Sequence, residues 1–370
     1  MAGPVATSPL QARHLGLGAK MAEFGGWSMP LEYAGGGVLR EHAAVREAVG
    51  LFDVSHLGKV VVRGRGAAAF VNDCLTNDLG RITPGQAQYT LCCDDATGGC
   101  VDDLIAYLRN DDDVLLIPNA ANSDEVARRL RDHAPKGVDV LDEHHDHAVL
   151  AVQGPASDET LTALDLPVGH PYMSFVEERH AAAPVVVCRT GYTGERGYEL
   201  VLAAGAAPAL WDAILAAGEP YGIRAAGLAA RDTLRTEMGY PLHGQDISLD
   251  VTPIQARLGW AVGWSKARFW GQEHLQAERK HGPRRLLHGL VASGRGIARP
   301  GMRVLLAADL PVGVVTSGTF SPTLRKGIGL ALLDPAIEEG AEVSVEVRGR
   351  REIFVVTRPP FVSPGVREEG

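Results

Sequence analysis

Gly98-Gly99-Cys100-Val101-Asp102-Asp103-Leu104-Ile105-Ala106-Tyr107-Leu108 opens on two glycines, sets two acids side by side and runs on into an apolar, β-prone segment. The pattern predicts a turn followed by a strand over 101–108. Strand alternation sends adjacent side chains to opposite faces, so one carboxylate faces a core-lined cleft while the other meets solvent. A partly buried carboxylate is a candidate proton handler or cation stabiliser. A turn-capping acid is the plainer reading of the same pair.

Working outward, alternating or β-branched segments predict further strands over 59–62, 89–93, 114–117, 148–152 and 184–188. Helical patterns lie between them. Ser8-Pro9 suits an N-cap followed by a first helical position. The run 38–49 places Val38, Val45 and Val49 on one helical face, with Gly50 as its C-cap glycine. Asn122-Ser123-Asp124-Glu125 and Pro155-Ala156-Ser157-Asp158-Glu159 each lead into a helix with acid in the first turn. Mixed strand and helix order of this kind predicts α+β layers. Over 264–285 the chain turns polar, basic and helical, and beyond it short strands at 287–291, 302–306, 314–316, 342–347 and 353–356 alternate with Gly and Pro turns. That spacing reads as a small β-barrel or sandwich. The expected division is therefore a region 1–280 of two interleaved α+β subdomains and a C-terminal barrel domain 281–370.

The 370 residues carry a formal charge of −9, with 45% hydrophobic and 22% charged positions. This is an ordinary globular composition, long enough for two or three domains without disulfide or metal staples. The acidic balance argues against a protein that grips phosphate backbones, which needs a clustered basic field. Five cysteines, none in a Cys-x-x-Cys pair, fit a reducing compartment, and the expected location is the cytoplasm. The N-terminal stretch has no signal-peptide core, and no apolar run approaches the roughly 18 residues of a membrane helix.

Generic catalytic signatures are absent: there is no Walker A loop, no His-Glu-x-x-His and no Gly-x-Ser-x-Gly. The glycines of Gly191-Tyr192-Thr193-Gly194-Glu195-Arg196-Gly197 are spaced for a turn between strands, not for a strand-to-helix pyrophosphate loop. Glu143-His144-His145-Asp146-His147 is metal-capable by residue type but is expected as a solvated connection, since successive loop residues rarely converge on one ion. Tyr198-Glu199-Leu200-Val201 places an acid inside a β-run, and Arg231 and Arg235 stand four apart on one helical face. A structural ion pair explains either feature as well as a ligand does.

Phe52-Asp53-Val54-Ser55-His56-Leu57-Gly58, the Gly98 to Leu104 segment, Asn119-Ala120-Ala121-Asn122, Arg189-Thr190-Gly191-Tyr192-Thr193-Gly194-Glu195, Gly227-Leu228-Ala229-Ala230-Arg231-Asp232-Thr233-Leu234-Arg235 and Thr316-Ser317-Gly318-Thr319-Phe320-Ser321-Pro322 follow one another in this order. In that order they resemble the aminomethyltransferase (T-protein) family of the glycine cleavage system, over nearly the whole chain. The resemblance implies a three-domain, cloverleaf-like α+β fold around a folate cavity. It also implies transfer of a one-carbon unit from the aminomethylated dihydrolipoyl arm of H-protein to tetrahydrofolate, releasing ammonia and 5,10-methylenetetrahydrofolate. Carried over by motif, Asp103 is the catalytic carboxylate. Tyr89, Asn119, Tyr192, Glu199 and Arg231 fall on folate-contact positions, with Leu57 and Ile117 as apolar wall. No metal, nucleic acid or membrane is implied.

Three departures stand out. Leu57 replaces the usual Met, a volume-conserving swap. Leu242-His243-Gly244 replaces the common Leu-Tyr-Gly, and Val366-Arg367-Glu368-Glu369 is unusually acidic and is assigned no site. Two related classes compete. Folate proteins of iron–sulfur cluster maintenance carry a Lys-Gly-Cys-Tyr-x-Gly-Gln-Glu signature, where this chain has Ala267-Arg268-Phe269-Trp270-Gly271-Gln272-Glu273 and no Cys. Methylglycine dehydrogenases and oxidases carry a flavin domain ahead of their folate domain, for which this sequence leaves no room. The strip Arg279, Lys280, Arg284 and Arg285 reads as a solvated linker, part of which is placed to steer an acidic H-protein.

Overall fold

A five-stranded antiparallel sheet and a six-stranded sheet, antiparallel except for its short edge strand, face each other across one apolar layer, and a closed barrel abuts them. The computed structural model describes residues 5–306, 310–347 and 349–366; residues 367–369 of the acidic C-terminal stretch lie outside them. The first sheet has five strands in the order Gln86–Cys93, Cys100–Asn110, Asp113–Ile117, Val60–Gly64, Val138–Asp142. The second has six, in the order Phe175–His180, Ala183–Cys188, Gly197–Ala203, His147–Gln153, Gly50–Asp53, Arg224–Ala225. A small three-stranded sheet near the N-terminus packs beside them. The barrel closes through Leu286–Ala292, Lys326–Leu333, Pro311–Ser321, Arg303–Leu305, Glu342–Val347 and Arg350–Thr357. The expected α+β fold with a C-terminal β-barrel is the observed one.

Period-two alternation decides what each face does. In the strand Cys100–Asn110, Leu104, Ala106 and Leu108 enter the core under the helices Ala67–Cys74 and Ser123–His133. Ile105 and Tyr107 point the other way, into the layer between the sheets with Phe52, Val61, Val149 and Val201. A further core of Leu91, Cys93, Cys100, Ile247, Leu287 and Leu330 joins the five-stranded sheet to the barrel. Cys100 and Asp103 thus sit where the two sheets and the barrel meet. Gly99 is required there, because a Cβ at that position would lie 1.8 Å from the Leu249 carbonyl oxygen. Among the described residues no helix is long and apolar enough to cross a membrane.

Several local expectations are corrected. The first helix runs Gln11–Gly16, not from Ser8: the Ser8 hydroxyl accepts from the Leu10 amide at 3.1 Å while donating to the buried Asp53 carboxylate, and the Gln11 amide bonds the Ser8 carbonyl at 3.0 Å, so Ser8–Leu10 form a turn ahead of the helix. Gly50 opens the strand Gly50–Asp53, and the preceding helix Gly37–Glu47 ends at Ala48. The histidine-rich connection at 143–147 is not fully solvated. His144 is buried against the Trp27 ring, with centroids 5.2 Å apart, and its Nε2 donates to the His56 carbonyl at 2.9 Å. Asp102, expected at the solvent side of its strand, has no exposed surface.

A buried acid ties two helices to the barrel. Glu237, at the end of the helix Leu228–Met238, accepts from Arg46 at 2.8 Å, from the Thr323 hydroxyl at 3.0 Å and from Ser321 of the barrel. Burial alone raises its pKa, but the hydrogen bonds of His42, Ser321 and Arg46 outweigh it and hold the carboxyl down at about 2. An acid whose folded pKa lies below its unfolded value of 4.5 contributes stability above that value, and the contribution is lost as pH falls through about 2. Glu237→Gln should therefore cost on the order of 2 kcal/mol at neutral pH. The gap to the wild type should narrow between pH 4.5 and 2 in thermal melts. A gap that stays constant with pH would refute this account.

Candidate active site

A cavity of about 1090 Å³ lies between the two sheets and the mouth of the barrel. It is of the size and mixed lining expected for a small-molecule site. Leu57, Tyr89, Asp103, Ile117, Asn119, Tyr192, Glu199 and Arg231 all line it, so the residues that the resemblance assigns to the site are brought to one place. They arrive from six separate chain segments.

Asp103 projects from its strand into the cavity on the same side as Ile105 and Tyr107. Tyr89, on the neighbouring strand, donates to its Oδ2 at 3.0 Å, and the Asn119 amide donates to its Oδ1 at 2.8 Å. Burial raises the Asp103 pKa, and the hydrogen bonds from Tyr89 and the Asn119 amide pull it back. Asp102, on the opposite face, accepts from the Asn119 backbone at 2.9 Å, the Asn119 side chain at 2.8 Å and the Asn122 side chain at 2.7 Å. Burial first, and then the charge of Asp103, push Asp102 up to about 8 against those three donors. One asparagine amide therefore bridges the two carboxylates, which lie on opposite faces of the strand.

The opposite wall is built by Glu199 and Arg231. Glu199 leaves its strand on the face opposite the buried Tyr198 and accepts from the Thr190 hydroxyl at 2.6 Å. Thr190 in turn accepts from Tyr107, 3.0 Å away. The two arginines four apart on the helix Leu228–Met238 divide between the two readings. Arg235 is the structural ion pair, bound to Asp246 at 2.8 Å. Arg231 turns into the cavity, with its guanidinium 4.6 Å from the Tyr192 ring centroid and its buried Nη1 without a hydrogen-bond partner. A buried, unpaired guanidinium nitrogen is costly unless something in the cavity accepts from it. Tyr192 is itself fixed by donating to the Pro241 carbonyl.

Sequence reasoning left out several lining groups. His56, next to Leu57, is buried, and that burial, followed by the nearby Arg231 charge, lowers its pKa to about 3, so it is neutral at physiological pH. Its place inside the segment 52–58 was the available signal. At the barrel end, Trp260 stacks on Tyr89 with centroids 5.3 Å apart, and Arg279 lies 4.5 Å from the Trp264 ring. Arg257, Arg279 and Arg358 give that end a basic rim. The basic strip of the linker is thus split, since Arg279 reaches the cavity while Arg284 and Arg285 border a separate groove of about 610 Å³ beside the barrel. No cluster of three or more His, Cys, Asp or Glu side chains placed to hold a metal occurs among the described residues.

Comparison with known proteins places the chain in one family. Residues 10–266 match the family described as the GCVT N-terminal domain, and residues 284–363 match the glycine cleavage T-protein C-terminal barrel domain. The chain is 65% identical over 355 residues to an aminomethyltransferase of Frankia alni, covering 96% of this chain and 97% of that protein. It is 58% identical over 361 residues to an aminomethyltransferase of Mycobacterium tuberculosis, covering 97% of each. The crystal structure of glycine cleavage system aminomethyltransferase T from Bartonella henselae superposes with a TM-score of 0.91 at 35% identity, covering 97% of this chain and 99% of that one.

Proposed function

The chain belongs to the aminomethyltransferase, or T-protein, family of the glycine cleavage system, and from that premise we propose which of its residues bind the substrates and which acts on them. It is an aminomethyltransferase of that system. The acceptor is tetrahydrofolate, the donor is the aminomethylated dihydrolipoyl arm of H-protein, and the products are ammonia and 5,10-methylenetetrahydrofolate. Buried free thiols at all five cysteines fit the proposed cytoplasmic location.

The observation that carries the assignment is the convergence of Asp103, Glu199 and Arg231 on one cavity. The residues present fit a folate. Glu199 offers a planar pair of acceptors to the amidine-like donor edge of a pterin. The partnerless Arg231 Nη1 offers a donor to an oxygen acceptor. Leu57 and Ile117 supply apolar wall, and the volume accommodates a ligand with a tail directed to the basic rim.

Transfer leaves an electron-poor methylene carbon and requires protons to move between the amine and the folate nitrogens. Asp103, oriented by Tyr89 and Asn119, is placed to stabilise that positive charge and to hold a proton in transit. The test is product formation from tetrahydrofolate and aminomethylated H-protein, with either substrate omitted as control. Tight folate binding without product would overturn the assignment of the donor.

The docking surface is proposed from charge. Arg284 is exposed, whereas Arg285 is half-buried and donates to the Asp250 carbonyl at 2.6 Å and to Gln255 at 2.8 Å. Reversing both to Glu should slow turnover several-fold at low salt, with the difference shrinking as salt rises, if this strip steers an acidic H-protein. The single Arg284→Glu variant, which breaks no strong contact, should show the same salt dependence. An unchanged rate at low salt removes the strip from the docking surface.

A further inference from the structure

The departure at Leu242-His243-Gly244 leads to a residue that stands behind the acid pair and does not line the cavity. His243 Nε2 lies 3.1 Å from the Cys100 carbonyl oxygen. A carbonyl only accepts, so Nε2 carries the proton, and in the neutral ring Nδ1 is then an acceptor. Asn122 Nδ2 lies 3.0 Å from that Nδ1 and 2.7 Å from Asp102 Oδ1. The two amide hydrogens of Asn122 therefore have one acceptor each.

Asn122 occupies the N-cap position of the helix Ser123–His133 and makes no capping bond. An asparagine there ordinarily caps its own helix, so its engagement with Asp102 and His243 is the departure that needs a reason. From Asp102 the path continues through the Asn119 amide, which donates to Asp102 Oδ1 and to Asp103 Oδ1, both at 2.8 Å. At its other end the His243 loop is anchored, since Leu242 N donates at 2.9 Å to the buried Asp246, which accepts from Ser317 of the barrel at 2.8 Å.

We propose that His243 is a positioning residue for the transfer step, holding Asn122 and the start of the acid strand so that Asp102 and Asn119 fix the orientation of the Asp103 carboxylate. The inference rests on Asp103 being the reacting acid. It requires a side chain that accepts at one end and donates at the other, which His and Gln offer and Leu does not. Small misplacements of a reacting group lower the rate of the chemical step more than they weaken substrate binding.

The experiment compares His243→Leu, His243→Gln, Asn122→Ala and the Asn122→Ala/His243→Leu double variant in full-length enzyme, with tetrahydrofolate and aminomethylated H-protein as substrates. His243→Leu should lower kcat about tenfold while KM for tetrahydrofolate stays within about twofold. His243→Gln should recover kcat to within about threefold of wild type. Asn122→Ala should lose kcat to a similar extent, and the double variant should be no slower than the slower single, because both break one path. Unchanged kcat in His243→Leu, equal impairment of the Leu and Gln variants, or losses that multiply in the double variant would each overturn the proposal. If His243→Leu does not fold, the Gln and Asn122→Ala variants decide by the same criteria. An Asp103→Asn enzyme that remains active defeats the underlying reading, whereas an inactive one alongside unaffected His243 variants defeats only this inference.

Discussion

Asp103→Asn should reduce kcat for methylenetetrahydrofolate formation by at least about 100-fold while tetrahydrofolate binding, followed by quenching of tryptophan fluorescence, changes by no more than a few-fold. The substitution is close to isosteric. Asn119 donates to Oδ1, so the amide oxygen is retained on that side, and the new NH2 group faces Tyr89. A phenol hydroxyl can accept as readily as it donates, so Tyr89 rotates its proton and the contact survives. What disappears is the negative charge and the capacity to take a proton.

The size of the loss follows from the setting. Asp103 lies in a cavity where burial already raises its pKa, so an unneutralised charge there interacts strongly with a developing cation. The neighbouring wall of Leu57, Ile105 and Ile117 is apolar, so it offers no dipole in place of the missing carboxylate. A variant that retains more than a third of wild-type kcat would reduce Asp103 to an orienting acid. The charge requirement would then have to lie with Asp102, whose replacement by Asn would become the decisive measurement.

The acid pair also shows where legibility ends. Alternation along 101–108 correctly separates the two faces, and Asp103 does face the cleft with Ile105 and Tyr107. The same rule leaves Asp102 on the face away from the cleft, and it is buried rather than solvated, because the turn at 119–122 covers it and supplies its donors, with His243 behind Asn122. Those donors stand 17 to 20 residues on in the chain, and the His243 that meets Asn122 stands a further 121 on, separations that local periodicity does not register. The same holds for Trp260, Arg279 and Arg358 at the barrel end of the cavity. Each is an ordinary exposed or linker residue in sequence, and becomes lining only when the barrel closes against the five-stranded sheet. Motif order was a stronger guide to the pocket than residue chemistry. The pair Arg231 and Arg235 is ambiguous as spacing, and only the placement of Asp246 beside one of them separates ligand contact from ion pair.

Asp246→Ala should be the most destabilising of the substitutions considered, by about 3 kcal/mol or more, because it removes the acceptor at which the helix, the loop and the barrel meet. Asp246 has no exposed surface, and Arg235 is 1% exposed. The carboxylate takes hydrogen bonds from Arg235 at 2.8 Å, Ser317 at 2.8 Å, the Leu242 backbone at 2.9 Å and Thr316. Alanine leaves Arg235 with Asp232, at 2.7 Å but half exposed, as its remaining charge partner, leaves the Leu242 amide and the Thr316 hydroxyl without this acceptor, and leaves Ser317 with Gln245 at 3.1 Å. Removing one member of a buried pair costs more than the pair contributes, since the desolvated charge stays behind. Arg235→Met combined with Asp246→Leu should therefore recover a large part of the lost thermal stability, and equal instability in the single and double variants would show that the hydrogen bonds, not the charge, carry the cost. Activity separates this clamp from the chemistry. Asp246→Ala frees the loop that carries Leu242 of the cavity wall and His243 behind the acids, so kcat should fall together with Tm, whereas Asp103→Asn should lose kcat at an unchanged Tm.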